Sequence, residues 1–157
     1  TGWVVLVPLA LAMMDLRMLG PWWLLGIMGL VWVADSAAYF TGIKFGKTRL
    51  APCISPGKSW EGVAGAMLGV SLYILLIVWW GKEKLPLGNI STWLLASWVW
   101  VGLAIIGDLF ESAIKRQAGV KDSGNLLPGH GGLLDRIDAL TSTLPLAALL
   151  LMTGGAA

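Results

Sequence analysis

Cysteine and histidine are almost absent: the chain holds one of each, Cys53 and His130. A lone cysteine cannot close an intrachain disulfide, and without further thiols or imidazoles there is no ligand set for a zinc site. Charge is scarce too. Asp, Glu, Lys and Arg make up 13% of the 157 residues, about half the share of an ordinary soluble domain. The net charge of +2 is too small to point to nucleic acid. The opening residues lack a charged n-region and a small-residue cleavage site, so they do not read as a signal peptide. Starting at Thr1 and running straight into apolar sequence, the chain reads as part of something longer. Also missing is the apolar–polar alternation of barrel strands.

What remains is built for lipid. Hydrophobic residues make up 57% of the chain, and the mean hydropathy is +0.77. Ten tryptophans stand against three phenylalanines; the amphipathic indole favours membrane–water interfaces. A helix needs roughly 20 mostly apolar residues to cross a bilayer core. Pro21–Phe40, Val63–Trp80 and Ile90–Ile106 read as clear spans, with shorter candidates at Gly2–Met14 and Ala139–Met152. The expected fold class is therefore all-α: a polytopic transmembrane helical bundle of about five spans, with polar cytosolic loops forming the site. No internal repeat or separate soluble domain is visible, so residues 1–157 read as a single integral-membrane domain.

The connections fall on two sides. One side receives Thr41–Gly62 and Gly107–Asp138, with Lys44, Lys47, Arg49, Lys58, Lys115, Arg116, Lys121 and Arg136. The other receives Asp15–Gly20 and Gly81–Asn89, with Arg17, Lys82 and Lys84. The positive-inside rule puts the first, more basic side in the cytosol. The two long polar stretches then share a face, where they could build one site. Lys44, Lys47 and Arg49 read as topology markers that attract anionic lipid. Gly65 and Gly69 form a small-x-x-x-small step that lets helix backbones approach. Packing within one subunit is favoured there over the seam of a homodimer.

Asp108 follows an apolar run directly, in VGLAIIGDLFESAIKRQAG. If the helix continues, Asp108, Ser112 and Lys115 share a face with Glu111 beside them. Charged groups at a membrane border are costly unless they face a polar cavity or an ion, which favours function over a solvated helix end. Asp135 and Asp138, in LLDRIDAL, fall on one side of a helix start. Alone they could simply complement the helix dipole. Together with Asp108 they gather carboxylates from two spans, a hard-oxygen set suited to Mg²⁺ bridged to phosphates.

Between these acids lies KDSGNLLPGHGG. Its Pro128 and glycines prevent a regular helix, and a glycine-rich loop flanked by lysine and arginine can cradle phosphates. His130 serves equally well as a phosphate donor or as a loop organiser bonded to backbone. The earlier stretch FGKTRLAPCISPGKSWEG contains Gly57–Lys58–Ser59 but has Pro52 where a P-loop requires glycine. A P-loop is excluded, although Lys58, Ser55 and Ser59 can still bind phosphate or a lipid headgroup. Asp35, near the cytosolic end of its span, needs a cation, a lysine partner or a polar substrate.

The segment SAIKRQAGVKDSGNLLPGHGGLLDRID, Ser112 to Asp138, resembles the signature of the phosphatidate cytidylyltransferases (CDP-diacylglycerol synthases). Ser112, Lys115, Arg116, Lys121, Asp122, His130, Gly131, Gly132, Asp135, Arg136 and Asp138 all match its fixed positions. WVADSAAYF, FGK and SPGKSWEG resemble the bacterial members in the same order, so the resemblance covers nearly the whole chain, with 107–138 as its signature region. Members carry further spans ahead of this region, and the chain resembles their C-terminal portion.

The resemblance implies transfer of the cytidylyl group of CTP to phosphatidic acid, giving CDP-diacylglycerol and pyrophosphate, in the bacterial cytoplasmic (inner) membrane with the site facing the cytosol. It implies Mg²⁺, with room for a second cation, held by Asp108, Asp135 and Asp138. Lys115 and Arg136 join these acids as the catalytic set. Lys58, Ser59, Ser112, Arg116, Lys121, Asp122, His130, Gly131 and Gly132 are the substrate-binding candidates. Near alternatives are a CTP-dependent polyprenol kinase and an archaeal-type lipid cytidylyltransferase. A different class is an ion-coupled transporter, but its ionisable groups would lie near the bilayer midplane rather than at one face.

Overall fold

The computed structural model of the chain describes residues 2–81, 89–117, 119 and 134–154. Five helices dominate them: α1 (Gly2–Leu19), α2 (Pro21–Phe45), α3 (Trp60–Gly81), α4 (Ile90–Gln117) and α5 (Leu134–Gly154). Between α2 and α3 lies a two-stranded antiparallel sheet of β1 (Arg49–Ala51) and β2 (Ser55–Ser59). The protein is an all-α membrane protein, and the hairpin is an addition that its loop-like, Pro- and Gly-containing sequence conceals.

Among the described residues, α2, α3 and α4 are long and apolar enough to cross a membrane. The other two expected spans are helical but shorter as apolar elements. Asp15 and Arg17 lie in the last turns of α1, and the apolar part of α5 runs only over Ala139–Leu149. The surface has the polarity of a lipid-facing one. Trp22, Trp79 and Trp80 are 78%, 70% and 86% exposed, a display that water would penalise and a bilayer favours.

The helices run past the expected boundaries where nothing stops them. From Asp108 to Gln117 there is neither Gly nor Pro, and α4 continues through the whole segment. It ends just before Gly119, whose φ of +71° and N–H bond to the Arg116 carbonyl (3.1 Å) close the helix in the left-handed manner. The polar connection that follows α2 ends where α3 starts, at Trp60. Ser59 is its N-cap, with its hydroxyl accepting from the Gly62 N–H at 3.1 Å.

The chain divides into two compact units. The first contains Thr1–Gly29 and Leu103–Ala157. There α1 packs along α5. Leu9, Ala12 and Leu16 form a buried stripe at helical spacing on α1, and Leu140, Thr143, Leu144, Ala147 and Ala148 do the same on α5. The buried hydroxyl of Thr143 donates to the Ala139 carbonyl (2.6 Å), so it costs little in an apolar surrounding.

The second unit is Leu30–Gly102. Here α3 presents glycines to α2 of the same chain. A Cβ on Gly65 would overlap Thr41, and one on Gly69 would come within 2.7 Å of the Ala37 methyl. The Gly65–Gly69 step is thus used inside the subunit. Further along α3, the Trp98 indole N–H donates to Ser71 Oγ at 2.9 Å, and that hydroxyl donates to the Met67 carbonyl at 2.7 Å. This short relay ties α4 to α3.

Candidate functional site

In the first unit the end of α4 has two faces. Ile106, Phe110 and Ile114, four apart, are 64%, 67% and 41% exposed. They form the apolar face that lipid would cover. Asp108, Glu111, Ser112 and Lys115 fall on the other side and are half-buried. Ser112 Oγ donates to Asp108 Oδ1 at 3.5 Å, a long contact. Lys115 Nζ lies 2.9 Å from Glu111 Oε1, with the two side chains 16% and 18% exposed. Glu111 Oε1 is itself shielded and makes no directed hydrogen bond, so the attraction is that of an ion pair. Away from bulk water such a pair is screened less than one at the surface. Arg116, one residue on, is exposed.

The α4–α5 contact lies directly beside this polar stripe. A Cβ on Gly107 would collide with the Ser142 side chain of α5, so only glycine lets α5 come this close. Asp108 is the next residue on α4. Asp138 precedes Ser142 by one helical turn, about 6 Å along the axis, and Asp135 by roughly two turns. The backbone thus places Asp108 and Asp138 each within about a turn of one helix–helix contact. The side chains of Asp135, Arg136 and Asp138 lie outside the described residues, as do Lys121, Asp122, His130, Gly131 and Gly132.

Among the described residues, no three Asp, Glu, His or Cys side chains assemble as a metal set. Of the three expected ligands, Asp108 is the one whose side chain is described. With Asp135 and Asp138 the donors would all be carboxylate oxygens, a set that fits a hard divalent cation.

Lys58 and Ser59 belong to the second unit, at the end of β2. Both are half-buried. Ser59 has a structural task that the sequence reading did not assign: besides capping α3 it sits among glycines, within 2.9 Å of where a Cβ of Gly46 would stand. Glu61 is not among the candidates that the sequence alone suggests. Its two carboxylate oxygens each accept from the Thr48 N–H at 3.2 Å. An acid in the first turn after a serine cap was the available signal.

Apolar helices carrying a half-buried carboxylate–lysine stripe at one end define a helical membrane protein with a polar site at the end of its spans. The comparisons with known proteins make the class more particular: the chain belongs to the cytidylyltransferase family, whose pattern it matches over residues 2–153. It is 48% identical to the phosphatidate cytidylyltransferase of Haemophilus influenzae over 123 residues, 78% of this chain and 43% of that protein. It is 48% identical to the Pseudomonas aeruginosa enzyme of the same name over 132 residues, 84% of this chain and 48% of the relative. For the Thermotoga maritima phosphatidate cytidylyltransferase the figures are 51% over 118 residues, 74% and 44%. The chain therefore spans less than half the length of these curated relatives.

Proposed function

We propose that the protein transfers the cytidylyl group of CTP to phosphatidic acid, giving CDP-diacylglycerol and pyrophosphate, at the cytosolic face of a bacterial inner membrane. Family membership and the names of the relatives support the reaction class. The observation on this chain that carries it is the half-buried stripe Asp108–Glu111–Ser112–Lys115, set beside the glycine contact that draws α5 and its acids close to α4. A site for one water-soluble and one bilayer-bound substrate has to lie where apolar helices meet a polar edge.

The chemistry asks little of a nucleophilic side chain. The phosphate of phosphatidic acid is already an anionic oxygen nucleophile. Its oxygen forms a bond to the α-phosphorus of CTP, the bond from that phosphorus to the β-phosphate oxygen breaks, and pyrophosphate leaves with the electron pair. What the protein supplies is alignment and charge neutralisation. Lys115, Arg116, Lys121 and Arg136 balance the triphosphate and the departing pyrophosphate. Lys58 and Ser59 hold phosphate, and the glycine-rich segment around His130 offers backbone N–H groups. Glu111 pairs with Lys115 and so narrows the conformations its side chain samples. Mg²⁺, held by Asp108, Asp135 and Asp138, would neutralise phosphate oxygens when bound.

The test uses the purified full-length protein in detergent or vesicles with CTP, phosphatidic acid and Mg²⁺, following both products and including an EDTA control. Metal-dependent formation of CDP-diacylglycerol and pyrophosphate is expected. Asp108→Asn should abolish turnover while the protein stays folded; near-normal turnover would remove the metal role of Asp108. CTP binding without product would remove phosphatidic acid as the acceptor, and polyprenols would be tried next.

A further inference from the structure

The hairpin between α2 and α3 has an uneven ladder. Arg49 pairs with Ser59 and Ala51 with Ser55. Between those pairs β1 has one residue, Leu50, whereas β2 has three, Pro56, Gly57 and Lys58. Lys58 therefore sits in a bulge, the feature by which a strand re-aims a side chain. Proline cannot donate to the ladder and glycine adds freedom, so this bulge has little to hold its shape from within.

It is held from its ends instead. Ser59, directly after Lys58, is fixed as the cap of α3. Thr48, directly before Arg49, is held twice. Its carbonyl accepts from the Trp60 N–H at 3.0 Å, and its own N–H donates to both carboxylate oxygens of Glu61. Glu61 thus reaches back 13 residues to Thr48, the residue that leads into the opposite strand. A purely local helix-start acid would complement the dipole without that contact.

We infer that Glu61 is a positioning residue: its carboxylate fixes Thr48 and, through the Arg49–Ser59 pair, the bulge that presents Lys58. The inference rests on the proposed role of Lys58 in holding a substrate phosphate. Glu61 itself touches no substrate; it acts through the backbone of the opposite strand.

The experiment compares wild type, Lys58→Ala, Glu61→Ala, Glu61→Gln and the double variant Lys58→Ala/Glu61→Ala in the full-length protein. It measures kcat and KM for CTP and for phosphatidic acid, with deuterium exchange across residues 42–60. Glu61→Ala should speed exchange at the hairpin and raise the same KM that Lys58→Ala raises, roughly tenfold or more, as a displaced binding group would. The double variant should be no worse than the worse single one. Glu61→Gln, which keeps a carbonyl acceptor for the Thr48 N–H, should fall between Glu61→Ala and wild type. Unchanged exchange in Glu61→Ala, unchanged KM values, or effects that multiply in the double variant would each overturn the inference. Lys58→Ala with both KM values at wild type also overturns it, while wild-type turnover in the same assay leaves the proposed reaction standing. If the wild type makes no product, the reaction has failed separately; the concentration of CTP that half-saturates a thermal shift then replaces KM, under the same criteria.

Discussion

Replacing Gly107 with alanine tests the helix contact next to Asp108. The new Cβ would stand 2.5 Å from the Ser142 Cβ, where carbon atoms rest at about 3.5 Å or more. The helices would have to part by about 1 Å. Overpacking of this kind costs about 1–3 kcal/mol, but alanine recovers roughly 1 kcal/mol of helix propensity over glycine. The net loss of stability is then only about 0–2 kcal/mol, too little to decide the matter. Turnover is the sharper readout, because a shift of about 1 Å in catalytic geometry can cost on the order of 100-fold. In the full-length protein Gly107→Ala should lower kcat/KM by roughly that factor while changing Tm by a few degrees. Ser142→Gly should rescue it, since the nearest remaining Ser142 atom is the Cα at 4.0 Å. Ser142→Ala keeps the Cβ and should not. Wild-type turnover in Gly107→Ala, or rescue by alanine as effective as rescue by glycine, would refute the reasoning.

Two further outcomes follow from the packing. Ser59→Ala removes the cap of α3 and should lower stability by about 1 kcal/mol, seen as a drop in Tm; an unchanged Tm would mean that the hairpin alone sets the helix start. Leu144 is fully buried in α5, so Leu144→Ala should cost about 2–5 kcal/mol while leaving turnover per folded molecule close to wild type.

The three longest spans were legible because their apolar runs reach bilayer length and end at polar or glycine-containing connections. The continuation of α4 through Asp108 and Lys115 was legible for a related reason: LFESAIKRQ contains no residue that would stop a helix. The hairpin was not legible. Pro52, Pro56 and Gly57 look like loop chemistry, and the contacts that make β1 and β2 a sheet run from Thr48 to Trp60 and Glu61, a pairing that no local pattern encodes. The Lys115–Glu111 pair follows from four-residue spacing, whereas Gly107 read only as one small residue in an apolar run. Its value depends on which residue of another helix lies opposite, and that is a tertiary fact. The richest part of the motif, residues 120–133, lies outside the described structure.

The α4 stripe also bears on the choice between enzyme and transporter. An ion path would carry its acids toward the middle of a span. In α4, residues 90–107 contain no charged side chain, and Asp108, Glu111, Lys115 and Arg116 all fall in the last ten residues. The apolar face formed by Ile106, Phe110 and Ile114 continues alongside them. One helix segment therefore presents a polar stripe and a lipid-compatible stripe at the same depth. A lipid phosphate could reach Lys115 there while its acyl chains stay against apolar side chains. Such an arrangement suits a reaction at the membrane surface, and the proposed transfer from CTP to phosphatidic acid is a reaction of that kind.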